Sequence, residues 1–110
     1  MAYRFGGRDI ETDEEGYLTD PGDWSPELMR HIASEINQEL GEDQILVVNM
    51  VREYYREYAT TPAMRSLIAL LKKKNVKHLC SSAALARLFP QGAAKTASKL
   101  AGLPKPVKCT

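Results

Sequence analysis

A mostly α-helical bundle with a small N-terminal β-hairpin and an extended C-terminal arm is the fold this sequence predicts. Three observations carry the prediction. Apolar residues recur at helical spacing through the middle and later parts of the chain, a Gly6-Gly7 pair separates two short stretches at the N-terminus, and Pro104 and Pro106 stand among the last seven residues. Length sets the scale: 110 residues suit a single helical domain over 1–102 followed by a flexible arm over 103–110.

The elements follow in chain order. Tyr3-Arg4-Phe5 and Arg8-Asp9-Ile10 flank the glycine pair as two strands flank a tight turn. Asp20-Pro21-Gly22-Asp23 reads as a turn, and Ser25-Pro26-Glu27 supplies an N-cap, a first-turn proline and an early acid. Leu28, Ile32, Ile36 and Leu40 then repeat every four residues, so the first helix is expected to run to a stop at Gly41. A second helix over about 44–58 places Val47, Val48, Val51, Tyr54, Tyr55 and Tyr58 on one side. Thr60-Thr61-Pro62 repeats the cap-then-proline signal and opens a third helix over 62–74, whose terminal Lys72-Lys73-Lys74 suits the helix dipole. Short helices over 83–88 and 93–101 follow, with a break at Phe89-Pro90-Gln91-Gly92 and a cap at Gly102. Beyond Gly102 each proline removes a donor and drives its predecessor toward extended geometry, which makes an arm.

Composition excludes several classes. Hydrophobic residues at 44% and charged residues at 26% belong to a globular chain rather than a disordered or disulfide-scaffold one. No apolar run reaches the roughly 18–20 residues a membrane span needs, and the first seven residues lack a signal-peptide stretch, so the expected setting is cytoplasmic, with no membrane partner. Charge is divided along the chain. All 14 acids and only five arginines lie in residues 1–57, while the remaining 53 residues hold ten cations and no acid. Such a basic half is either a solvated face or a surface for an acidic partner or nucleic acid.

Few constellations offer chemistry. No acidic cluster has metal-ligand spacing, no glycine-rich phosphate loop is present, and no cofactor is implied. His78 and Cys80 stand two residues apart, a spacing that rarely holds a thiol and its base in register. Tyr54, Tyr55 and Tyr58 at helical spacing are core and rim residues before they are a base-stacking platform. The helices over 44–58 and 62–74 form a helix-turn-helix-like pair, which makes a nucleic-acid-binding regulatory module the alternative function, although Pro62-Ala63-Met64 is poor in side chains that read bases.

Cys109 differs from these. A thiol on a proline-stiffened tail can reach into another protein's site, which favours a carrier over an enzyme with its own cleft. Lys105 and Lys108 flank it, and nearby cations raise thiolate character. Spacing alone leaves a second reading open, an incidental cysteine on a solvated tail.

The segment Leu100-Ala101-Gly102-Leu103-Pro104-Lys105-Pro106-Val107-Lys108-Cys109, with one residue after it, resembles the C-terminal signature of the TusE/DsrC sulfur-carrier family. The resemblance extends through Asp13-Glu14-Glu15-Gly16-Tyr17-Leu18, Asp23-Trp24-Ser25, Val51-Arg52-Glu53-Tyr54-Tyr55, Thr61-Pro62-Ala63-Met64-Arg65 and Arg87-Leu88-Phe89-Pro90 to Gly92 and Lys95. It implies a helical bundle with an N-terminal hairpin and a mobile arm, and a persulfide carried on the cysteine that matches Cys109. The DsrC branch has a second arm cysteine where this chain has Ser98, so the chain looks more like the TusE branch. That branch implies a sulfurtransferase-type carrier rather than a self-contained enzyme. Its donor would be a complex resembling TusB, TusC and TusD, and its acceptor a tRNA thiolase resembling MnmA that makes 2-thiouridine. Direct contact with tRNA is left open. Two positions depart from the family pattern: Ala93 stands for a common proline, and Gln44-Ile45 for a frequent His-Trp pair.

Overall fold

The computed structural model describes residues 2–104. Strands β1 (Ala2–Phe5) and β2 (Arg8–Glu11) pair antiparallel with Tyr3 opposite Ile10 and Phe5 opposite Arg8. Gly6 and Gly7 both have positive φ, 62° and 80°, which the right-handed twist of a two-residue hairpin turn demands and glycine permits. The following loop closes on itself: the Asp13 carboxylate accepts the N–H groups of Glu15 and Tyr17 at 2.9 and 3.0 Å, and Tyr17 and Leu18 turn into the core. The hairpin lies on helix α1 (Pro26–Glu35), where Tyr3 and Phe5 pack their rings against His31.

Helix α1 starts where its cap signal places it, with the Ser25 hydroxyl accepting from Leu28 N–H at 3.1 Å. It stops five residues before the expected end. Asn37 takes the left-handed conformation (φ 55°), its N–H bonds Ser34 O, and Gln38 N–H bonds Ala33 O at 2.8 Å, the two reversed bonds of a Schellman motif. Gln38 is buried and its side-chain amide donates to Leu88 O at 2.8 Å, so the chain leaves the helix to tie two helix ends together. Ile36 and Leu40 still pack on the core, but Leu40 does so from a loop.

Gly41, expected to end α1, instead precedes α2 (Glu42–Tyr58), and its N–H is taken by the Gln44 side chain at 2.9 Å. Helix α3 (Met64–Lys73) begins two residues after Pro62, with no side-chain cap at Ala63; the Thr-Pro signal is an extended linker in which Pro62 is buried. A 3-10 turn over Lys77–Leu79 leads to α4 (Ser82–Leu88), capped by the Ser81 hydroxyl at 3.1 Å from Ala84 N–H. Cys80 closes the turn. Helix α5 (Ala93–Leu100) follows.

The core centres on α5, which packs on α1, α2, α3 and α4. Its Ala93, Ala97 and Leu100 are fully buried, as are Val47, Val48 and Val51 of α2, Leu67 and Leu71 of α3, and Leu85 and Phe89. Alanines on the inner face let neighbouring helices approach closely. Leu103, the first residue of the expected arm, also belongs to this core at 3% exposure. Among the described residues no helix is long and apolar enough to cross a membrane.

Helix α2 ends at Ala59 with φ 56°, a conformation that costs an L-residue about 1–2 kcal/mol. Ala59→Gly relieves that cost and loses part of the gain to chain entropy, so the variant is expected to be about 0.5–1 kcal/mol more stable in urea denaturation. Equal or lower stability would contradict this.

Candidate functional site

The end of α5 leads into the last residues of the chain, and every backbone carbonyl there has a partner. A helix strands its last four carbonyls unless something binds them. Here Ala101 N–H bonds Ala97 O at 2.9 Å, Gly102 N–H bonds Lys99 O at 3.2 Å, and Leu103 N–H bonds Ser98 O at 3.1 Å, a second Schellman motif with Gly102 in the left-handed position at φ 71°. Leu103 then folds back into the core. Leu100 O and Ala101 O are left over.

Two side chains from distant parts of the chain take them. Trp24, in the loop before α1, donates its indole Nε1–H to Leu100 O at 2.8 Å across 76 residues. Arg52, on α2, donates Nη1–H to Ala101 O at 2.8 Å across 49 residues. The guanidinium lies 3.7 Å from the indole ring centre, so the two donors also stack on each other. Arg52 meets the negative end of the α5 dipole, and although burial and then the neighbouring Arg56 lower its pKa, a guanidinium keeps its charge. Gly102 sits directly under this stack. A Cβ there would fall 2.6 Å from Trp24 Cδ1 and 2.9 Å from Cγ, so the position requires glycine for its backbone angle and for its lack of a side chain.

Ser98, the position where the DsrC branch has its second arm cysteine, is 0% exposed, and its hydroxyl has no partner among the described residues. Cys109, Lys105 and Lys108 lie outside the described residues. Lys95 and Lys99 line a cleft of about 190 Å³ with Glu15, Tyr17 and Gln91, and the Lys99 ammonium stands 5.0 Å over the Tyr17 ring. Cys80 is half-buried, and its thiol donates to Val76 O at 3.0 Å, whereas His78 pairs with Asp43 at 3.1 Å. The Cys-His pair is thus committed to separate partners. Among the described residues, no group of three or more His, Cys, Asp or Glu side chains is placed to hold a metal.

Helices α2 and α3 form the expected helix-turn-helix-like pair. Between them lies a groove of about 350 Å³ edged by Tyr54 and Tyr58, whose rings stand 4.6 Å apart. Tyr58 is 57% exposed, a rim residue, and Tyr55 packs against the core. Glu53 and Glu57 line the same groove as Lys73 and Lys74, and Lys74 pairs with Glu53 at 3.5 Å, a mixed-sign surface that suits a phosphate backbone poorly.

Trp24 and Arg52 stand inside the segments that carry the family resemblance, and the sequence gives neither a role. Each has a polar group on a large body that packs well, but nothing in either local pattern says that both reach one helix end.

Comparison with known proteins places this geometry in context. The family model described as DsrC like protein matches residues 4–110. The sulfurtransferase TusE of Salmonella typhimurium is 47% identical over 105 residues, covering 96% of each chain, and that of Escherichia coli K12 is 46% identical over the same shares. Among solved structures, the NMR structure of Allochromatium vinosum DsrC superposes with a TM-score of 0.88 at 41% identity, covering 99% of this chain and 97% of that one. The crystal structure of the oxidized gamma-subunit of the dissimilatory sulfite reductase from Archaeoglobus fulgidus gives 0.83 at 34% identity, covering 96% of each.

Two substitutions test this description. Gly102→Ala combines a disfavoured backbone angle with a clash against Trp24 and is expected to cost about 2 kcal/mol or more, read by urea denaturation followed through the fluorescence of Trp24, the single tryptophan. Ser98→Ala removes a buried hydroxyl that gains nothing in return, so it should leave stability unchanged or raise it by about 1 kcal/mol. A loss of stability in Ser98→Ala, or none in Gly102→Ala, would refute the corresponding assignment.

Proposed function

The chain belongs to the DsrC-like protein family, and from that premise we propose that it is a sulfur-relay protein whose carrier thiol is Cys109. The observation that carries the reading is the match itself, which runs to residue 110 and so takes in Cys109, at 47% identity to proteins named sulfurtransferase TusE. The other thiol, Cys80, is held by a backbone carbonyl, which leaves it less suited to attack a partner's sulfur.

The chemistry is thiol–persulfide exchange. The Cys109 thiolate attacks the outer sulfur of a donor persulfide; the donor's sulfur–sulfur bond breaks, a new one forms on Cys109, and the donor leaves as its thiolate. One persulfide is consumed and one is made, so no external oxidant or reductant enters. In the second step the acceptor's thiolate takes the outer sulfur in the same way and Cys109 leaves as the thiolate. Lys105 and Lys108 favour the charged form of the thiol. The donor is a complex resembling TusB, TusC and TusD, and the acceptor is a tRNA thiolase resembling MnmA. The carrier supplies reach, and the partners supply the pockets in a cytoplasmic relay.

Incubation with a cysteine desulfurase, its donor complex and cysteine is expected to add one sulfur to the intact mass, located on the C-terminal peptide. Cys109→Ser should abolish the gain, and Cys80→Ser should keep it. Sulfur found on Cys80, or retained in Cys109→Ser, would overturn the assignment.

A further inference from the structure

Resting on the reading of Cys109 as the carrier, we propose that Trp24 and Arg52 are positioning residues that clamp the root of the arm and fix where and in which direction it leaves the domain. The carbonyls they bind are consecutive, Leu100 O and Ala101 O, and the donors come from two separate elements, the loop before α1 and the middle of α2. A single hydrogen bond leaves a helix end free to pivot about it. Two bonds to neighbouring carbonyls, from donors that also stack on each other at 3.7 Å, remove that freedom. Gly102 admits the indole against the backbone, and Leu103 is locked behind it in the core. Solvent serves the last carbonyls of most helices at little cost, so two side chains reaching across 76 and 49 residues do more here than satisfy polar atoms.

Chain length shows why the root matters. Cys109 is the sixth residue after Leu103, a span of at most about 20 Å from covalent geometry. If the last turn of α5 let go back to Ser98, the tether would grow to eleven residues. The effective concentration of the thiol at a docked partner would fall about two- to threefold from length alone, with a further loss as the exit direction spreads. The clamp is therefore expected to act on delivery to a macromolecular partner and not on the intrinsic reactivity of the thiol.

The test uses the full-length protein with Cys80→Ser, so that Cys109 is the remaining thiol, and compares Arg52→Gln, Trp24→Phe and Arg52→Lys. Trp24→Phe keeps a ring but no donor, and Arg52→Lys keeps one cationic donor. Three quantities are read below the thermal midpoint of each variant: the rate of sulfur acceptance from the persulfidated donor complex, the rate of Cys109 alkylation by iodoacetamide, and the spin-label distance distribution between Cys109 and a second cysteine introduced by Ala69→Cys on exposed α3 surface. In Arg52→Gln and Trp24→Phe, transfer is expected to slow about threefold or more, alkylation to stay within twofold, and the distribution to widen, with Arg52→Lys recovering part of each loss. A distribution as narrow as wild type, a smaller loss of transfer, or an equal loss of alkylation overturns the proposal. If Trp24→Phe does not fold, Arg52→Gln alone decides. The distance measurement needs no sulfur chemistry, so a failure of the clamp shows there, while a failure of the carrier reading shows as sulfur acceptance in Cys109→Ser.

Discussion

A helix that ends against a protein core must find partners for its last carbonyls, and in this chain that requirement organises the fold around the end of α5. Three backbone N–H groups satisfy Ala97, Ser98 and Lys99, and Arg52 and Trp24 satisfy the other two. Because Trp24 precedes α1 and Arg52 stands on α2, the arrangement exists only when the N-terminal loop, the longest helix and the C-terminal segment are assembled together. Hydrogen bonds to neutral groups contribute about 1 kcal/mol net and those from charged groups about 1.5–3, so the pair is a sizeable share of a small domain's stability. Placed at the end of α5, it ties that helix end to the folding of the bundle.

The rest of the domain serves this point. The alanine face of α5 brings it close to α2, which carries Arg52 within reach of Ala101 O. The loop closed by Asp13 places Tyr17 beneath Lys99, holding the outer face of α5. Gln38, just past the C-terminal end of α1, ties that helix to the end of α4. These contacts bury the inner face of α5, while Lys95 on its outer face stays exposed and Lys99 is half-buried.

Much of the architecture was legible in the sequence because its signals are local. Gly6-Gly7 encodes a hairpin turn, Ser25-Pro26 a helix start and Gly102 a helix stop, and each acts as its chemistry dictates. Signals that depend on packing were less legible. The four-residue repeat through Ile36 and Leu40 continues past the true end of α1, because loop residues also bury apolar side chains and the left-handed Asn37 overrides periodicity. Thr60-Thr61-Pro62 has the composition of a cap, yet burial of Pro62 makes it a linker. At the site, the family resemblance points to the arm and to Ser98, but the clamp joins residues 24, 52, 100 and 101, and no local pattern encodes contacts across such separations. Arg52 sits on a helix face with Glu53 and Arg56, where a solvated charge is the ordinary expectation.

The central claim is that sulfur is held by this chain and then handed on, and the hand-over is its most direct test. Purified persulfidated protein, freed of donor, is mixed with the acceptor thiolase, ATP and unmodified tRNA in a single turnover, while protein-bound sulfur and 2-thiouridine are followed together. The account predicts that sulfur leaves the protein as 2-thiouridine appears, one for one, and that it stays bound when the thiolase is omitted. Loss of sulfur from the protein at the same rate with and without the thiolase would contradict it.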